Sequence, residues 1–149
     1  MPAFAGPVSQ GLDSQRAGRA GGVLILGASG RGKSTLALML RGLGADLVAD
    51  DRTYVTRSGD RLRLSAPQAI AGQIEARGIG ILQCPTVTGP VALDLVVDLN
   101  QPEVARLPPE RVWRSDGVAV PCVHGPRAGG ADLAFAMAIK LHTLYGRSA

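Results

Sequence analysis

The sequence of 149 residues predicts a single α/β domain, in which a mixed β-sheet surrounds the helix that follows a phosphate-binding P-loop. Residues 27–34 read GASGRGKS and match the P-loop pattern G-x-x-x-x-G-K-[ST]. Residues 91–99 alternate in the way that one long strand does. Other short apolar segments flank turn residues and predict hairpins, which make the chain too rich in strands for a regular βαβ series. A mixed sheet is therefore the economical architecture.

The segments on either side of the motif have the patterns that a P-loop requires. Residues 22–26 read as a short buried strand, and residues 35–43 place apolar side chains at i, i+3, i+4 and i+7, as a helix does. The N–H groups and the positive dipole end of that helix would face phosphates. Lys33 would reach the β- and γ-phosphates, and the Ser34 hydroxyl would ligate Mg²⁺. The candidate nucleotide ligands are Gly27, Ala28, Ser29, Gly30, Arg31, Gly32, Lys33, Ser34 and Thr35.

The rest of the chain divides into an arm and the main domain. Residues 1–21 lack clear periodicity and predict a flexible N-terminal arm, with a poorly formed edge strand as the alternative. Residues 22–149 form the P-loop domain. Its further predicted elements are strands at 46–49 and 91–99, a strand or tight loop at 78–82, hairpins 53–56/61–64 and 112–115/118–123, and helices 67–74 and 131–145. The last helix is apolar nearly all round, which predicts packing on several sides or against another subunit.

Two adjacent acids, Asp50 and Asp51, follow the strand predicted at residues 46–49. Ligands of open α/β sheets bind at the carboxyl ends of the strands, so we expect this pair near the phosphates. One carboxylate can hold Mg²⁺ or its water, and the other can accept a proton from an attacking hydroxyl group. A solvated acidic turn is the alternative interpretation.

A second unusual cluster is the segment Glu75-Ala76-Arg77, which is followed by a glycine-rich stretch at residues 78–80. A carboxylate and a guanidinium group two positions apart point the same way from an extended segment. The glycines permit close approach of the backbone to a ligand. A surface ion pair before a turn explains the cluster equally well.

Composition excludes several classes of protein. Aromatic residues make up only 3%, too few for a platform that stacks on nucleic-acid bases, and the net charge of +4 suits a polyphosphate ligand or an acidic partner. No segment approaches the roughly 18 apolar residues of a membrane helix, and the N-terminus lacks a secretory-signal pattern. Cys84 and Cys122 form no CxxC motif and are expected to be semi-buried thiols. We therefore expect a soluble cytoplasmic protein that binds neither nucleic acid nor membranes.

Three segments together resemble one protein family. They are residues 27–38 (GASGRGKSTLAL), 47–52 (LVADDR) and 74–81 (IEARGIGI). In this order they look like the catalytic domain of the HPr kinase/phosphorylase family, in the short bacterial form that lacks the larger N-terminal domain. The resemblance spans about Gly22 to Ala138. The P-loop is generic, whereas a Val-Ala-Asp-Asp block followed by Glu-x-Arg-Gly-x-Gly-Ile is quite specific.

The resemblance implies a function and a set of roles. Such proteins use ATP and Mg²⁺ to phosphorylate a serine of HPr, a small phosphocarrier protein of the phosphotransferase system, and can reverse the reaction with inorganic phosphate. The resemblance implies that Asp50 handles the serine proton, with Asp51 as its acidic neighbour, and that Ser34 and Glu75 are Mg²⁺ ligands. Arg127, in the loop before the last helix, is the nearest candidate for a reacting arginine. A P-loop kinase domain similar to the nucleotide domain of PEP carboxykinase and a homo-oligomer, a hexamer in the family, are also implied.

One departure from the family pattern concerns a histidine. The family usually carries a histidine about a dozen residues before the P-loop strand, near the phosphate site, whereas residues 7–12 here read PVSQGL. His124 and His142 both lie far downstream. The reverse, phosphate-using reaction is therefore left open. Two other functions also remain open: a small-molecule P-loop kinase, and a non-catalytic ATP-binding regulatory module.

Overall fold

Nine strands and two helices are present in the part of the chain that the computed structural model describes. That part comprises residues 3–7, 21–28, 30–46, 48, 53–65, 73–83 and 90–146, with the backbone alone at 3–7 and 73–75. The elements are β1 (Ala3–Pro7), β2 (Gly22–Leu26), α1 (Lys33–Gly42), β3 (Tyr54–Ser58), β4 (Arg61–Ser65), β5 (Gln73–Ala76), β6 (Gly80–Gln83), β7 (Val91–Pro102), β8 (Arg111–Ser115), β9 (Val118–Gly125) and α2 (Leu133–Tyr145).

The long strand β7 is the centre of the main sheet. It pairs in parallel with β2 and with β9, and its first residues pair antiparallel with β4. The hairpins β3–β4 and β8–β9 and the antiparallel strand β1 complete the seven strands. The sheet is therefore mixed, as the sequence predicts. All five residues of β2 are buried, which is typical of a strand covered on both faces.

Two apolar clusters lie on the two faces of this sheet. Val23 and Ile25 belong to the cluster that both helices cover, where Leu36 and Ile139 are buried. The alternate residue Leu24 belongs to the other cluster, which is lined by β4, β7 and β9. Aliphatic side chains supply this core, as expected from the few aromatic residues. Burial of each leucine or isoleucine side chain contributes about 1.5–3 kcal/mol to the free energy of folding. Neither helix of the described residues has the length and apolarity to cross a membrane.

Most of the predicted elements are confirmed. The buried strand at 22–26, both hairpins and the strand at 91–99 are present, and the two helices begin within about two residues of their predicted starts. Of the two alternatives for the N-terminal segment, residues 3–7 have the edge strand, which pairs with β2. The passage at 78–82 is a turn that leads into β6.

Two predicted elements are wrong where the structure can test them. Neither Asp46 nor Val48 lies in a strand. The chain there bonds back to the end of α1 instead: Ala45 N–H donates to the Leu40 carbonyl (2.9 Å), and Arg41 pairs with Asp46 (3.6 Å). The helix predicted over 67–74 is wrong at its end, since residues 73 and 74 belong to β5, and its residues 67–72 lie outside the described part.

Candidate functional site

The carboxyl ends of the three parallel strands meet at one edge of the sheet. Leu26 of β2 pairs with Asp98 of β7, and Asp98 pairs with His124 of β9. The predicted P-loop follows directly after Leu26, so it lies at this edge. Because ligands of open α/β sheets bind outside the carboxyl ends of the strands, this edge is the candidate site.

The loop leads into α1 with backbone conformations that only glycine adopts readily. Gly30 and Gly32 have φ values of +85° and +96°. Gly32 is the N-cap of α1, no side chain caps the helix, and its first turn contains no acidic residue. The first N–H groups of the helix and its positive dipole end are thus left for an exogenous acceptor. This arrangement fits a phosphate group.

The side chains of the loop agree with that assignment. The Lys33 ammonium group donates to the Gly27 carbonyl and so folds back over the loop. A Cβ atom at Gly27 would lie 3.3 Å from Lys33 Cγ and from Leu99 Cβ, so close packing favours glycine there. Ser34 and Thr35 are exposed at the start of the helix, where their hydroxyl groups are accessible. Ala28 and Arg31 are also exposed, and Ser29 lies outside the described residues.

The loop that carries Arg127 packs against the predicted P-loop. A Cβ atom at Gly32 would lie 3.3 Å from the backbone of Gly130 and Ala131. Arg127 is exposed in the turn closed by a hydrogen bond from Gly129 N–H to the Pro126 carbonyl (2.9 Å). The structure therefore brings the segment of the predicted arginine next to the predicted phosphate ligands, although the two are about a hundred positions apart in the sequence.

The predicted carboxylates are only partly within reach of the structure. Glu75 lies in β5, opposite Ile81 of β6, and β5 contacts α1, so its backbone is placed against the helix that begins at Lys33. Its side chain, Asp50 and Asp51 lie outside the described set, so their roles stay predictions. Among the described residues, no group of three or more His, Cys, Asp and Glu side chains could hold a metal.

A polar link that the sequence patterns did not predict joins β7 to the loop. Ala28 N–H donates to the Asn100 side-chain oxygen at 2.8 Å, and Asn100 N–H donates to the Asp98 carboxylate at 3.0 Å. The apolar run at residues 95–97, which ends in Asp98, was the available signal, because polar residues at the carboxyl end of a buried parallel strand commonly face a ligand.

A second polar cluster fixes the end of β7 to the β8–β9 hairpin. Glu103 accepts two hydrogen bonds from Arg111, at 3.0 and 3.1 Å, and lies 3.9 Å from His124 Nδ1. The Arg111 guanidinium, with the Ala105 N–H, lowers the pKa of Glu103 to about 2. Burial, with the nearby Asp98 charge, raises the pKa of the Cys122 thiol to about 11, so this buried thiol is not a nucleophile at neutral pH. Cys84 lies outside the described part.

The sequence and the fold of this chain are similar to those of one protein family. The family model described as HPr Serine kinase C-terminal domain matches residues 19–124. A protein named HPr kinase/phosphorylase from Caldanaerobacter subterraneus subsp. tengcongensis is 46% identical over 87 residues, which are 54% of this chain and 28% of that protein. The HPr kinase/phosphorylase of Cupriavidus metallidurans is 42% identical over 97 residues, 58% of this chain and 30% of that protein.

The likeness extends to three dimensions. The structure of the Hpr(Ser) kinase/phosphatase from Coxiella burnetii superposes with a TM-score of 0.70 at 28% identity, and the match covers 97% of this chain and 91% of that chain. The chain spans less than a third of the length of the two named relatives and nearly the whole of the Coxiella chain. The match to the family model contains both the predicted P-loop and Asn100.

Proposed function

The chain belongs to the HPr serine kinase C-terminal domain family, and we propose that it is an ATP- and Mg²⁺-dependent kinase that phosphorylates a serine of an HPr-like phosphocarrier protein. In this reaction the serine oxygen forms a bond to the γ-phosphorus of ATP, the bond to ADP breaks, and the serine proton passes to a carboxylate. The observation that carries the proposal is the glycine-capped N-terminus of α1, which opens at the carboxyl edge of the sheet beside the loop of residues 126–131.

We assign the nucleotide to the P-loop of residues 27–35. The backbone N–H groups there would hold the phosphates, and Lys33 would exchange the Gly27 carbonyl for phosphate oxygens, because a charged acceptor binds an ammonium group more strongly than a carbonyl does. This assignment also supports our proposal that the fold is similar to that of the nucleotide domain of PEP carboxykinase. Mg²⁺, when bound, would neutralise charge on the phosphates, with Ser34 and Glu75 as its proposed protein ligands.

The remaining roles follow from charge and position. Asp50 would accept the serine proton, and Asp51 would support it as a second carboxylate. Arg127 would offset the negative charge that develops during transfer, which is consistent with the packing of its loop against Gly32. We further propose a cytoplasmic location, where ATP and phosphocarrier proteins occur, and a homo-oligomeric state.

A transfer assay tests the proposal. The chain would be incubated with γ-labelled ATP, Mg²⁺ and the purified HPr-like protein of the same organism. We expect label on a serine of the carrier. Lys33→Ala should abolish nucleotide binding and transfer, whereas Asp50→Asn should keep nucleotide affinity and lower transfer by ~10²–10⁴-fold. Arg114→Ala, which removes an exposed basic residue of β8, is the matched control and should change neither.

The outcomes separate the competing functions. Label on a metabolite in place of the carrier would favour a small-molecule kinase. Nucleotide binding that depends on Lys33 but is followed by no transfer would favour a regulatory module. Transfer that survives Lys33→Ala would overturn the assignment of the nucleotide to the P-loop.

A further inference from the structure

We infer that Asn100 is a positioning residue for the P-loop, and that its side-chain oxygen holds the first turn of the loop in the shape that receives nucleotide. The inference deepens the proposed function and rests on it for the identity of the ligand. Asn100 lies at the carboxyl end of β7, on the strand next to the one from which the loop departs.

The geometry of the contact is direct. Ala28 N–H donates to Asn100 Oδ1 at 2.8 Å, across 72 positions of sequence. At the preceding residue, a Cβ atom on Gly27 would lie 3.3 Å from Leu99 Cβ. Two successive residues of the loop thus meet two successive residues of β7, one through close packing and the other through a hydrogen bond.

Asn100 is itself held in place from within β7. Its own N–H donates to the Asp98 carboxylate at 3.0 Å, and Asp98 is paired in the sheet with Leu26 on one side and His124 on the other. The backbone that carries the acceptor for Ala28 is therefore anchored to the centre of the sheet before any ligand arrives. A rigid anchor of this kind lowers the entropy that the loop loses on binding.

The bond also orients the rest of the loop. It engages Ala28 N–H, while Arg31 N–H donates back to the Ala28 carbonyl at 3.1 Å and tightens the turn. With the peptide groups on both sides of Ala28 fixed, the N–H groups of the first turn of α1, which no side chain caps, remain available to phosphate oxygens. Loss of the Asn100 acceptor would leave Ala28 N–H to water and would let the loop sample other conformations.

A pair of variants with nearly the same shape isolates the acceptor. Asn100→Asp keeps an oxygen for Ala28, whereas Asn100→Leu does not, and Gln101→Ala changes an exposed neighbour as the control. We expect Asn100→Leu to weaken Mg-ATP binding by about five- to tenfold in calorimetric titration, as expected for one hydrogen bond, and to raise KM with little change in kcat. The Ala28 amide should also lose protection from hydrogen exchange in the nucleotide-free protein.

Rescue separates positioning from general stability. Asn100→Asp should retain Ala28 protection, and any loss of affinity from its negative charge should shrink with added salt, whereas the loss in Asn100→Leu should not. If Asn100→Leu does not fold, Asn100→Ala makes the same comparison. Wild-type protection and affinity in the variant without an acceptor would overturn the inference. If the wild-type chain binds no nucleotide, the proposed function fails, and the exchange measurement still decides whether Asn100 holds the loop.

Discussion

Gly32 shows how one residue serves both the loop and its surroundings. Its φ of +96° suits glycine, and its missing side chain leaves room for the backbone of Gly130 and Ala131, which an added Cβ would approach to 3.3 Å. Any larger residue would have to strain the backbone or push the two loops apart. The motif requires glycine at this position for phosphate, and the structure adds a second reason, the packing of the 126–131 loop.

We predict that Gly32→Ala lowers stability by ~1–2 kcal/mol through its left-handed backbone and greatly weakens nucleotide binding. Gly42→Ala is the matched control, because Gly42 ends α1 with open space around it and without a positive φ. The control should leave binding unchanged and raise stability slightly, since alanine favours the helix. Urea unfolding and calorimetric titration measure the two effects. Normal nucleotide affinity in Gly32→Ala would contradict the prediction that nucleotide binding requires the left-handed backbone at Gly32.

The Glu103 carboxylate makes the free energy of unfolding depend on pH in the acid range. Hydrogen bonds from Arg111 hold its pKa at about 2 in the folded chain, against the ordinary value of 4.5. A lowered folded-state pKa contributes stability that is fully present above about pH 4.5 and is lost as the pH falls towards 2. We expect Glu103→Gln to be less stable at pH 7 and to lose less stability over that acid range.

Thermal unfolding at several pH values tests this expectation. Glu110→Gln changes an exposed carboxylate of the same segment that pairs with no cation in the described residues, so it should keep the acid dependence of the wild type. Parallel acid curves for Glu103→Gln and the wild type would show that the pair with Arg111 contributes no stability.

Elements set by local pattern were predictable, and elements set by distant partners were not. The hairpins follow from alternation around Gly59-Asp60 and Asp116-Gly117, whose turn chemistry is local. By contrast, a short and mostly apolar segment such as residues 46–49 fits a strand or a buried connection equally well. Val48 is in fact buried in the second cluster outside any strand, because the chain there bonds back to the end of α1.

The candidate site divides in the same way. Residues 27–35 are contiguous, so a local motif is enough to predict both the turn and the start of α1 at Lys33. Asn100 contacts Ala28 only because β7 runs parallel to β2. The identity of residue 100 does not predict a hydrogen-bond partner 72 positions away. The sequence thus predicts the candidate phosphate-binding loop, whereas the residues that support this loop are brought to it by the order of the strands.

At the level of the helix, the N-cap of α2 connects stability to the site. Asp132 accepts a hydrogen bond from Phe135 N–H at 2.8 Å, directly after the backbone that packs on Gly32. We expect Asp132→Ala to cost ~1 kcal/mol in urea unfolding, with Asp132→Asn close to the wild type, since both native and conservative caps supply an acceptor. Equal stability of Asp132→Ala and the wild type would show that the cap is not needed to begin α2.

On the scale of the whole molecule, α2 presents an apolar stripe that the described structure does not cover. Leu133, Met137, Leu141 and Tyr145 recur every four residues and are 49–75% exposed, while Ala136 and Ile139 on the other side are buried against the core. The sequence left open whether this helix packs on several sides or against another subunit. Its inner side completes the core, so the outer stripe is in excess of what this fold needs.

Contiguous exposed apolar side chains usually mark an interface, and we predict that the chain self-associates through this stripe. Light scattering after gel filtration should show an oligomer whose share grows with concentration. Leu141→Glu should shift it to monomer, because a charge would have to be desolvated in the interface. At dilutions where both chains are monomeric its unfolding midpoint should equal that of the wild type, since residue 141 is already exposed in the isolated chain. Leu107→Glu places the same charge on an apolar side chain that is 87% exposed outside α2, and should leave the assembly intact. A wild-type chain that stays monomeric at every concentration and phosphorylates its carrier at full rate would contradict the prediction, since neither stability nor activity would then require a partner on α2.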